Sequence, residues 1–120
     1  LYEQLFNSDY ELGETYSYYA YLNMSSAKDY AYVAYNYSFS GYMRDPTSEK
    51  YSAYLNSYYD YYYKLYAAYY ALYAWNDYWN ESSNWGQQHV YNAIVYSFYG
   101  NYYNGFANNN CGILSIGGIY

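Results

Sequence analysis

The sequence has one proline, one cysteine, one histidine and four basic residues, and only 12% of its 120 residues are charged. Each shortage excludes something. One cysteine, Cys111, cannot form a disulfide framework within the chain, so it is either an inert thiol or half of a disulfide between chains. One histidine, His89, leaves no set of imidazoles for a metal centre, and the Glu-x-x-His pairs of di-iron bundles are absent. Four cations against ten acids, a net charge of −6, cannot neutralise a run of phosphates, which argues against nucleic acid. No apolar stretch is long enough to cross a bilayer, and no phosphate loop, dinucleotide fingerprint or nucleophile elbow is present. A non-enzymatic chain with no catalytic, cofactor or metal residues is therefore expected. His89 reads as a hydrogen-bonded structural residue. The acids Glu3, Asp9, Glu11 and Glu14 read as a solvated face.

What is present in excess is aromatic. The chain carries 29 Tyr, 4 Phe and 3 Trp. Tyr is a large apolar ring with one polar handle, so this is not a disordered composition. Those side chains together hold roughly 5,400–9,000 Å² of surface. A folded monomer of this size exposes roughly 6,800 Å² in all. One small core cannot hide every ring, so many tyrosines must lie at the surface, where large aromatic patches mark contacts.

Periodicity predicts an all-α chain: a small bundle of three to four helices. Leu1, Leu5, Leu12, Tyr16, Tyr19 and Leu22 follow helical steps, which makes 1–23 an amphipathic helix with Gly13 as its weak point. Ser25 or Ser26 would cap a second helix reaching about Met43. Its half-alternating stretch Tyr30–Tyr37 reads as helix rather than strand, because alanines interrupt it and no β-branched run appears. Asp45 suits an N-cap and Pro46 a first helical position, so a long central helix is expected over 46–79. After a polar break at Asn80–Asn84, a fourth helix runs to about Tyr103. Residues 1–106 would form the tyrosine-rich domain. An extended Gly- and Asn-rich tail, 107–120, would dock on a neighbouring subunit through Ile113, Leu114 and Ile116.

The tyrosines of the central helix spread over about 200° of its circumference, whereas a helix facing one core needs an apolar stripe a little over 100° wide. The remaining face holds Ala53, Asp60, Lys64, Ala67 and Ala71. The expectation is that one edge of the arc packs in the bundle and the other on a second copy, with Tyr59, Tyr61, Tyr63 and Tyr70 as interface residues. Three uses of tyrosine are open. They are packing, packing followed by oxidative crosslinking, and relay of charge, which needs an unbroken chain of close rings.

Three sequons, at Asn23, Asn36 and Asn80, are candidate N-glycosylation sites. A first residue that is Leu rather than Met fits a processed, secreted chain. The expected function is a structural subunit of a self-assembling extracellular filament or coat whose partner is itself. The alternative is a secreted binding module that stacks carbohydrate or other ligands on Tyr and on the clustered Trp75, Trp79 and Trp85.

Overall fold

The computed structural model describes the backbone of residues 10–113 and the side chains of 13–82 and 84–106. Three helices run through the described residues: α1 (Tyr10–Arg44), α2 (Ser48–Trp79) and α3 (Ser83–Ile113). No strand occurs among the described residues. Helix α2 packs against both α1 and α3, which barely touch each other. Short links at 45–47 and 80–82 make each neighbouring pair an antiparallel hairpin.

The ends of α2 follow local chemistry. Thr47, in extended conformation, accepts a hydrogen bond from the Lys50 N–H at 3.2 Å, the standard reach from an N-cap to the third helical residue. The cap is therefore Thr47, and not Asp45 with Pro46 inside the helix as expected. Asp45 instead pairs with the Lys50 ammonium at 3.1 Å. At the other end the N–H groups of Glu81 and Ser82 donate to the carbonyls of Tyr78 and Asp77 at 3.1 and 2.8 Å. Glu81 sits at φ 59°, so this is a Schellman closure with a non-glycine residue in the left-handed position.

Two boundaries differ from expectation. The first two expected helices are one. Ser25 and Ser26 lie inside α1, where interior serine costs only a few tenths of a kcal/mol and no proline forces a stop. The first part of the expected extended tail is helix instead, because α3 continues through Asn104 and Cys111 to Ile113. Residues 1–9 and 114–120, with Leu114 and Ile116, lie outside the described residues.

The core is built from small residues. Along α2 the buried positions are Ala53, Ser57, Asp60, Ala67, Ala68, Ala71, Ala74 and Tyr78. With Lys64 included and Ala68 set aside, they recur in alternating steps of four and three, the seven-residue repeat of a coiled-coil seam. Helix α1 repeats it with Gly13, Ser17, Ala20, Met24, Ala27, Ala31, Ala34, Ser38 and Gly41, all buried or half-buried. Helix α3 repeats it with Gly86, Val90, Ala93, Ser97, Gly100 and Asn104. Helix spacing depends on the side chains at the contact, so such seams let the backbones approach closely. Ser38 and Ser57 bridge α1 and α2 at 3.1 Å through their hydroxyls. This reverses the expected orientation of the central helix. Its alanine face is the inside, and its tyrosine arc flanks the seam and faces outward. The stripe Tyr16, Tyr19 and Leu22 of α1 is likewise exposed.

Candidate assembly surface

Rings that flank a narrow seam meet across it. Between α1 and α2, Tyr61 lies 5.2 Å from Tyr32 and 6.1 Å from Tyr35, stacked on the latter at 7°. Tyr54 stacks on Tyr35 at 5.6 Å and on Tyr42 at 6.0 Å. Between α2 and α3, Tyr63 stacks on Tyr103 at 5.6 Å and on Tyr96 at 5.8 Å. Tyr59 meets Tyr103 at 5.1 Å, and Tyr70 stacks on Tyr96 at 5.3 Å and 5°. Such pairs each contribute about 0.5–1.5 kcal/mol beyond their buried area.

The two edges of the arc are thus engaged within one chain: Tyr61 by α1, Tyr63 and Tyr70 by α3. A second copy is not required to occupy them, because α2 has a neighbour on each side. All three are half-buried, while Tyr59 is exposed. The surface that stays open lies farther out. Tyr30, Val33 and Tyr37 project from α1, and Tyr91, Phe98 and Tyr102 from α3, with Tyr30 at 79% and Phe98 at 72% exposure. The periodicity of α1 and α3 carried this signal, since these residues lie off the small-residue repeat.

Where α1 and α3 diverge, Tyr16, Tyr19 and Met24 face Val90 and Ile94 across a groove of about 350 Å³ floored by Ala71 and Ala74. Near the same end, Leu72, Tyr73, Trp75, Asn76 and Trp79 line a shallow hollow of about 620 Å³. Trp75 is covered by Tyr18 at 4.9 Å, whereas Trp79 and Trp85 are exposed.

His89 ties α3 to α2. Its Nδ1 meets the Asp77 carboxylate, and its ring lies 5.8 Å from Tyr70, 5.6 Å from Tyr73 and 6.0 Å from Trp85. Deeper in the same seam, Lys64 pairs with the buried Asp60 at 2.8 Å. Burial pushes the Asp60 carboxyl up, and the Lys64 ammonium opposes the shift. Gly100 makes room for this pair, since a Cβ there would lie 2.8 Å from Lys64 Cγ.

Asn23 and Asn36 are exposed within α1, and Asn80 is exposed at the C-cap of α2, with its amide donating to the Asn76 carbonyl at 2.9 Å. Glu14 is half-buried. The side chains of Glu3, Asp9, Glu11, Cys111 and Ile113 fall outside the described ones. Among the described residues no three His, Cys, Asp or Glu side chains gather as a metal site, and no helix is long and apolar enough to cross a membrane.

Comparison with protein-family models, curated proteins and solved structures finds no match to this chain.

Proposed function

We propose that this chain is a non-enzymatic structural subunit of a self-assembling extracellular filament or coat, joined to copies of itself by tyrosine packing. The observation that carries the reading is the inside-out distribution of side chains. Alanine, serine and glycine fill the seams, and tyrosine covers the outer faces of all three helices. A monomer rarely exposes contiguous apolar patches beyond a few hundred Å² unless something binds them. The contact surface would combine Tyr59 and the outer edges of Tyr61, Tyr63 and Tyr70 with the open rings of α1 and α3. The segment from Ile113 through Leu114 and Ile116 would dock on the next copy, and Cys111 is the residue available for a disulfide between chains. The extracellular assignment rests on the sequons at Asn23, Asn36 and Asn80, all exposed, where N-linked glycans would solubilise a surface poor in charge. Light scattering and negative-stain microscopy of the native protein test the proposal. Ordered multimers are expected, and a stable monomer at micromolar concentration overturns it.

The second reading is a secreted binding module. Its support is the hollow where Trp75 and Trp79 meet Tyr73 and Asn76, aromatic planes beside an amide. Saturable quenching of tryptophan fluorescence by oligosaccharides, lost in Trp79→Ala, would favour it.

A further inference from the structure

The ring contacts join end to end. From Tyr51, near the start of α2, the centroid steps run to Tyr54 (6.3 Å), Tyr35 (5.6 Å), Tyr58 (5.7 Å), Tyr62 (6.2 Å), Tyr63 (5.4 Å), Tyr96 (5.8 Å) and Tyr70 (5.3 Å). The next step reaches His89 at 5.8 Å. The path covers about 28 Å of α2 and crosses from the α1 side to the α3 side. Among these ring contacts, Tyr58 alone connects the two rows, through Tyr35 on one side and Tyr59 and Tyr62 on the other.

We propose that this joined array conducts one-electron oxidation along the bundle, from the Tyr42–Tyr51 end through Tyr58 to the rings around His89. Every residue on the path before His89 is Tyr. Ring packing is served by Phe as well as by Tyr, but phenol yields an electron to oxidants that leave a benzene ring untouched.

The step balances as follows. A one-electron oxidant of the peroxidase or photo-excited metal-complex class takes one electron from a ring at the Tyr42–Tyr51 end. The vacancy is filled from the next ring inward and moves on. An oxidised phenol is a strong acid: at the exposed Tyr51, Tyr58 and Tyr62 it gives its proton to water and regains one as the next ring refills the vacancy, so each step moves an electron and a proton. The vacancy comes to rest beside His89, a stronger base than water, whose Nδ1 is occupied by Asp77, which leaves Nε2 to accept the proton. The products are the reduced oxidant, a neutral phenoxyl radical at Tyr70 or Tyr73 and a protonated imidazole.

The test places the oxidant at one end. A photosensitiser is attached to Met43→Cys in a Cys111→Ser background, because Met43 is exposed beside Tyr42. After a flash in the presence of an electron acceptor and a radical-trapping reagent, adducts are mapped by peptide mass spectrometry. Heavy-isotope chain without sensitiser is mixed in to subtract transfer between copies. Adducts at Tyr70 or Tyr73 are expected. They should be lost in Tyr58→Phe and in Tyr35→Phe, which keep the ring but not the phenol, and retained in Tyr69→Phe, a side branch that meets Tyr66 alone among the described rings. Circular dichroism establishes that each variant is folded. Absence of far-end adducts in the parent, or their persistence in both folded path variants, overturns the proposal.

Discussion

The ring of Tyr78 occupies the space that a side chain on Gly86 would need: a Cβ there would lie 2.6 Å from two ring carbons. Gly13 meets the opposite edge of the ring, with a Cβ at 2.8 Å. Tyr78, at 1% exposure, is the largest fully buried side chain among the described residues. A seam in which small residues predominate admits one full ring because α1 and α3 each present a glycine to it.

Gly86→Ala should therefore destabilise the fold despite the helix propensity of alanine. Propensity alone favours alanine by about 1 kcal/mol. Forcing a methyl into a closed aromatic contact costs about 1–3 kcal/mol, and the ring has a glycine behind it but a second helix behind that. Gly41→Ala is the control, since nothing lies within 4 Å of a Cβ there. It should stabilise by about 0.5–1 kcal/mol. Urea denaturation of the two variants checks both signs.

Asp60 and Lys64 give a pH dependence of known sign. Burial raises the Asp60 carboxyl above its ordinary 3.8, with Lys64 opposing. The folded chain then binds this proton more tightly than the unfolded chain. The stabilising contribution is complete below the ordinary value and is lost as pH rises through the folded one. Lys64→Met removes the opposing charge and moves the window upward. That variant should melt lower than the parent near neutral pH and recover more on acidification to about pH 4. Adding Asp60→Asn should abolish the difference in recovery. Thermal melts across pH read all three.

Alkali should unfold the chain as late-titrating phenols ionise. Burial first raises Tyr35 and Tyr96, and the hydrogen bond with Tyr66 first raises Tyr62, all above the ordinary 10.0. For an acid with a raised folded value, stability is lost as pH climbs through that value. Phenolate absorbance should show a fraction that titrates late and together with loss of helix. Tyr96→Phe should reduce that fraction.

Glu81→Gly should stabilise the α2–α3 turn by about 1 kcal/mol, because the left-handed region is costly for a residue with a Cβ and not for glycine. The sequon at Asn80 survives the change, so the readout by denaturation is independent of any glycan.

Much of the fold was legible. The break around Pro46 and the polar cluster after Trp79 placed both ends of the central helix, since capping and turn formation involve residues adjacent in sequence. Ser25 and Ser26 carry a local capping signal that the seam continuing through Met24, Ala27 and Ala31 overrides. The inward face of α2 is hidden from a local reading for a similar reason. Ala53, Asp60, Lys64, Ala67 and Ala71 were visible as one face, and their spacing in fours and threes was present in all three helices. Ring area by itself points to tyrosine for the core instead.

The sequence by itself determined that the chain is helical and that its rings exceed what one interior can hold, because helix periodicity is local and surface area is a property of composition. Only the tertiary structure decided which face of each helix turned inward. Backbones approach closely where the side chains between them are small, so the small residues took the seam, and its one buried ring, Tyr78, lies against two glycines. The tyrosines were left to meet one another along its edges and to cover the outside.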